Sequence, residues 1–116
     1  ENGVACAFQG MPAVTLDALE TIGVEEIKCA AYGLIGSEEL GDKVVKALGK
    51  RSKAALMANH GAVCVGYSLD DALLVAYLLE KLSMQVIFGK IIGRPVPITW
   101  EDFGNAPTYE EMVPQD

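Results

Sequence analysis

Residues Ala72 to Ile92 restrict the fold of this chain more than any other stretch. Leu73, Leu74, Leu78, Leu79, Leu82, Val86, Ile87 and Ile91 would put apolar groups on nearly every face of the long helix that this stretch predicts. A helix apolar all round is normally sandwiched, with a sheet on one side and other helices or a subunit on the other. Glu80, Lys81, Gln85 and Lys90 interrupt the run, which sets it short of a membrane-spanning segment on the sequence reading. No signal-peptide pattern is visible either. Ser68 and Asp71, close to the spacing of a capping box, mark the helix start. The helix should run to about Lys90 or Ile92, where Gly93-Arg94-Pro95 stops it.

Ahead of that helix lie two short apolar runs, Ala54 to Ala58 and Ala62 to Gly66, which read as strands. Asn59-His60-Gly61 is the break between them and holds the only histidine of the chain. Asn59 tolerates unusual backbone angles, and Gly61 allows close approach of other groups. A histidine on a tight turn at the end of a buried sheet is well placed to be a metal ligand or an acid–base group. The competing reading is an imidazole satisfied by backbone hydrogen bonds. Catalytic zinc typically takes three protein ligands. Cys64, Glu25 and Glu26 are the co-ligands available in principle, but nothing in their spacing supports such a set.

The rest of the chain reads as helices and strands in alternation. Leu16, Leu19 and Ile22 predict a short helix over Thr15 to Thr21, closed by Gly23. Glu26 to Ala31 predicts a strand, followed by a loop with two glycines, Tyr32 to Gly36. Ser37 caps a second helix, with Glu38 and Glu39 in its first turn, an apolar stripe of Leu40, Val44, Val45 and Leu48, and Gly49 at its end. Lys46, Lys50, Arg51 and Lys53 gather at that end, where cations complement the helix dipole. Residues 97–116 form a Pro-punctuated tail whose aromatics, Trp100, Phe103 and Tyr109, suggest that it packs down on the domain.

A length of 116 residues fits one domain, and 51% apolar residues exclude general disorder. The formal charge of −7 disfavours binding to phosphate backbones, so no nucleic-acid partner is expected. Cys6, Cys29 and Cys64 form no C-x-x-C pair and sit in apolar contexts, which points to free thiols in a reducing cytoplasm. A catalytic thiol needs a base and an electropositive setting; only Cys64 lies near His60 in sequence, and a glycine turn intervenes.

Tyr32-Gly33-Leu34-Ile35-Gly36-Ser37-Glu38-Glu39-Leu40, then Ala55 to Val63 with Asn59-His60-Gly61 inside it, then Gly66-Tyr67-Ser68-Leu69-Asp70-Asp71-Ala72, resemble in this order the class II aldolase/adducin family. The resemblance covers residues 25–95 clearly and 1–24 more weakly, and looks like the C-terminal half of the family's domain. It implies an α/β fold, part of an α/β/α sandwich around a mostly antiparallel sheet. It also implies a cytoplasmic homotetramer with active sites at subunit interfaces and a small-molecule substrate, a sugar phosphate or related hydroxycarbonyl. A Zn2+ or similar divalent metal would be held by three histidines, two from a His-x-His motif and the third matching His60, with Asn59 and Gly61 forming its supporting turn. That metal would polarise the substrate carbonyl and stabilise an enediolate.

The family's His-x-His, its acid–base glutamate and its phosphate loops have no counterpart here, so residues 1–116 correspond to the C-terminal portion of one domain and no catalytic residue is assigned within them. Tyr109 is a loose match to a C-terminal tyrosine that reaches a neighbouring subunit in some aldolases. The opening Glu1 to Ala7 resembles the small-residue helix that follows His-x-His, as though the chain began a few residues beyond that motif. The resemblance implies that this chain alone is inactive. It equally admits a non-catalytic adducin-like interaction module, or the epimerase and dehydratase branch that shares the same histidine.

Overall fold

The computed structural model describes residues 10–105. In chain order these form β1 (Gly10–Pro12), α1 (Leu16–Ile22), β2 (Glu26–Ala30), α2 (Glu38–Leu48), β3 (Ala54–Met57), β4 (Gly61–Cys64), α3 (Leu69–Ile92) and α4 (Trp100–Asn105). The four strands make one sheet in the order β1-β2-β3-β4. The β1–β2 and β3–β4 pairs are antiparallel, and β2–β3 is parallel. A parallel neighbour cannot be reached by a tight turn, so the chain crosses over through α2. This is the mixed α/β, mostly antiparallel architecture that the family resemblance implies.

Local chemistry sets the helix ends. Thr15 caps α1 by accepting from the Ala18 amide, and Gly23 closes it in the left-handed region at φ 96°. Ser37 caps α2 by accepting from the Leu40 amide at 3.1 Å. Ser68 does the same for α3 through the Asp71 amide at 3.1 Å, while the Asp71 carboxylate accepts from the Tyr67 amide at 2.9 Å. The return contact of a capping box therefore lands one residue ahead of the cap.

The core lies between the sheet and the α1/α3 layer. Met11, Leu19, Ile22, Ile27, Val75, Leu82 and Val86 are all fully buried. Along β3 the side chains alternate: Ala54 and Leu56 join this cluster, whereas Ala55 is buried outside it. The helix α2 packs across β2 and β3. Helices therefore flank both faces of the sheet.

The apolar stripe of α2 is only partly covered: no residue of α2 is buried, and Val45 is 68% exposed. The small side chains below it, Ala30 and Ala55, offer little apolar surface for a second core. The long helix α3 corrects the sequence reading: it has 24 residues, and an 18-residue stretch of it has a mean hydropathy of 1.5, which does reach the length and composition of a membrane-crossing helix. Its four polar interruptions do not lower the mean enough. Val75, Leu78, Leu79, Leu82, Ser83 and Val86 are nevertheless buried within the chain, while Leu73, Tyr77, Phe88, Ile91 and Ile92 on the opposite side are exposed. That is one half of the sandwich expected for such a helix. The tail, finally, contains a helix, α4. Ile98 and Phe103 pack on the core, Trp100 meets Phe103 edge-on at 5.6 Å, and the Ile98 amide donates to the Ala13 carbonyl at 2.9 Å. Tyr109 lies outside the described residues.

Candidate functional site

The β3–β4 hairpin places His60. Met57 pairs with Gly61, so Ala58, Asn59 and His60 make the turn. The His60 amide donates to the Met57 carbonyl at 3.0 Å, and the Ala58 amide donates to Ala30 of β2 at 3.0 Å. Asn59 is the only described non-glycine residue with positive φ, at 63°. It occupies the third position of the turn, where a type II turn needs such an angle and asparagine bears it better than most residues. Gly61 follows at φ 146°, a conformation that disfavours any Cβ. The turn thus demands the Asn-x-Gly frame around the histidine.

The imidazole is half-buried and contacts the loop between β2 and α2. Its Nε2 is 2.9 Å from the Gly33 carbonyl oxygen. Tyr32 stacks on it with ring centroids 5.4 Å apart and planes 5° from parallel. Gly33 is pressed against α2, since a Cβ there would lie 3.0 Å from the Leu40 Cα and Cβ. Tyr32 and Gly33 entered the sequence reading as part of the two-glycine loop and of the first resemblance motif, with no role assigned at His60. The available signal was an aromatic–glycine pair directly after a strand that neighbours β3.

The possible co-ligands are not brought to His60. Cys64 pairs with Ala54 at the far end of the hairpin, about 10 Å along the strand from the turn. Burial pushes its thiol pKa up, which disfavours the thiolate that either metal binding or nucleophilic attack needs. The Glu25 carboxylate accepts from the Trp100 amide at 2.7 Å. Among the described residues no group of three or more His, Cys, Asp or Glu side chains is placed to hold a metal ion. His60 fits the part of a single ligand; a ligand set is not assembled here.

Of the basic cluster, only Lys46 lies in the last turn of α2. Lys53 pairs with Asp71 at 3.1 Å and lies over the Tyr67 ring at 4.7 Å, while Lys50 and Arg51 are exposed. Two surface hollows, of about 400 and 370 Å³, are lined by β1 with Pro97 to Thr99 and by β2 with α2 respectively. His60 lines neither.

A family profile described as "Class II Aldolase and Adducin N-terminal domain" matches residues 1–87. The L-fuculose phosphate aldolase of Escherichia coli (strain K12) is 36% identical over 97 residues, which are 84% of this chain and 44% of that protein. A 5-methylthioribulose-1-phosphate/5-deoxyribulose-1-phosphate aldolase of Escherichia coli O45:K1 (strain S88 / ExPEC) is 33% identical over 79 residues, 68% of this chain and 37% of that protein. A solved L-fuculose 1-phosphate aldolase superposes with a TM-score of 0.79 at 25% identity, covering 89% of this chain and 47% of that one. The chain spans about half the length of the curated relatives it matches. With the β2–α2–β3–β4–α3 order and the Asn59-His60-Gly61 turn, these matches establish that the chain belongs to the class II aldolase/adducin family.

Proposed function

We propose that residues 1–116 are the C-terminal portion of a metal-dependent class II aldolase that cleaves a C–C bond of a sugar phosphate or related hydroxycarbonyl. The observation that carries this reading is the His60 turn. A strained hairpin holds one half-buried imidazole at the end of a sheet, one ring nitrogen engaged and the other without a partner among the described residues. Two of the relatives that match across this turn are aldolases by name.

In this reading His60 supplies one ligand to a Zn2+ or similar divalent ion. The remaining ligands and the acid–base group come from outside residues 10–105. The bound ion would contribute Lewis-acid polarisation of the substrate carbonyl. The described residues contribute the placement of the imidazole, with Asn59 and Gly61 as its supporting turn. Tyr109 is kept as a weaker candidate for contact with a neighbouring subunit. The chain alone would be inactive, for want of ligands.

The exposed apolar side of α3 supports a homo-oligomer; the family resemblance adds a cytoplasmic location and a homotetramer. Packing on the sheet opposes a membrane role for that helix.

Two assays test the proposal. The purified 116-residue chain, given zinc and a ketose phosphate, should show no turnover; robust turnover would overturn the claim of inactivity. In the full-length parent protein, His60→Ala should remove bound metal and aldol cleavage together. Unchanged metal content and activity there would sink the ligand assignment and favour a non-catalytic adducin-like module, the second reading, which the family profile also spans. The epimerase and dehydratase branch shares His60 and is separated from the aldolases by identifying the product.

A further inference from the structure

The contact between His60 and Gly33 has only one chemical polarity. A carbonyl oxygen has no hydrogen to give, so His60 Nε2, 2.9 Å away, must carry the proton. In the neutral ring Nδ1 then holds the lone pair. We infer that the loop of residues 31–36 is the positioning element of this site: the Gly33 carbonyl selects the tautomer of His60, the Tyr32 ring fixes its plane, and Nδ1 is the nitrogen presented outward.

The loop can do this because α2 grips it on both sides of Gly33. Before Gly33, the Lys43 ammonium donates to the Tyr32 carbonyl at 2.8 Å and is itself held by Glu39 at 2.9 Å. After Gly33, the Ser37 amide donates to the Leu34 carbonyl at 3.1 Å, and the Ser37 hydroxyl donates to the same oxygen. The peptide between these anchors has little freedom to rotate. The missing Cβ of Gly33 lets it sit against Leu40. Ser37 thus both starts α2 and ties down the loop that orients the histidine. A backbone carbonyl that takes one ring N–H and leaves the other nitrogen for a ligand is a recurrent arrangement around metal-binding histidines.

The ligand role of Nδ1 rests on the aldolase reading above; the tautomer does not. The sequence holds one histidine, so its ring nitrogens can be assigned without ambiguity. Nitrogen-15 spectra of the metal-free 116-residue chain, taken with the imidazole neutral, provide the test. The Nε2–H form should exceed the Nδ1–H form by about tenfold or more, the scale set by a hydrogen bond that only one tautomer can make. The Nε2 proton should exchange slowly enough with water to be seen. Tyr32→Phe should preserve both features and the ring-current shift of the His60 protons. Tyr32→Ala should abolish that shift, and Lys43→Met should bring the two tautomers closer together.

A proton resident on Nδ1, or averaging like that of free imidazole in the unaltered chain, would overturn the inference. An unchanged ring-current shift in Tyr32→Ala would remove Tyr32 from it. Circular dichroism of each variant separates loss of positioning from loss of fold. Addition of zinc then addresses the other reading: an undisturbed Nδ1 in the full-length protein would count against His60 as a ligand while leaving the tautomer result standing.

Discussion

The two faces of the sheet are held by different physics. On the α1/α3 face, Met11, Leu19, Ile22, Ile27, Leu82 and Val86 exclude water almost completely. On the α2 face no helical residue is buried, and the helix is joined to its surroundings by directed polar contacts from Ser37 and Lys43. Burial is non-directional and scales with area, so it serves stability. Hydrogen bonds contribute less net free energy each but fix angles and distances. The site sits on the side that has direction rather than the side that has mass. Stability and positioning should therefore respond to different substitutions.

The strongest way to break this contrast is in the core. Leu82→Ala leaves a cavity in the α1/α3 layer and should cost about 2–5 kcal/mol, read from the urea midpoint and slope. A loss below about 1 kcal/mol would mean that this layer does not dominate stability. Next comes Asn59→Val, which forces a β-branched residue to φ 63° and should cost about 1–2 kcal/mol, whereas Asn59→Gly should be close to neutral. Equal costs would show that the turn does not need the positive angle.

Ser68→Ala removes the cap of α3 and should cost about 1 kcal/mol by the same measurement. Its neighbour gives a pH signature. The Tyr67 amide, and then Lys53, hold the Asp71 carboxyl below the usual carboxylate range. A depressed folded-state pKa contributes stability above the unfolded value, and that contribution is lost as pH falls through the folded value. The advantage of the native chain over Asp71→Asn in thermal melts should thus be present near neutrality and vanish on acidification. An advantage that grew in acid would refute the assignment. Smallest of all is Val45→Ser, which on an exposed side should change stability by under about 0.5 kcal/mol. A cost near that of Leu82→Ala would erase the distinction between the faces.

Legibility differed along the same line. The caps of α2 and α3 were readable because Ser37 and Ser68 act on residues three positions away. The β3–β4 hairpin was readable because Asn59 and Gly61 announce the backbone angles they must adopt. The exposure of α2 was not readable: its periodicity says which residues share a stripe, but not whether anything apolar lies beneath it. The helix α4 was missed because a six-residue helix after Pro95 and Pro97 has too few turns to show a period. The partners of His60 were missed because Tyr32 and Gly33 are more than twenty-five residues away in sequence and reach it only through the parallel pairing of β2 with β3.

The sequence by itself determined the local grammar of this protein: where α1, α2 and α3 start and stop, which turn carries the sole histidine, and the family in which that order of segments occurs. These follow from interactions within a few residues, where side-chain chemistry acts directly on the adjoining backbone. Tertiary structure alone decided which stripe is buried, which carbonyl meets the imidazole, and that α2 grips the loop beside it. Those depend on strand register and on what each helix lies against, and contacts between distant segments exist only once the sheet has formed.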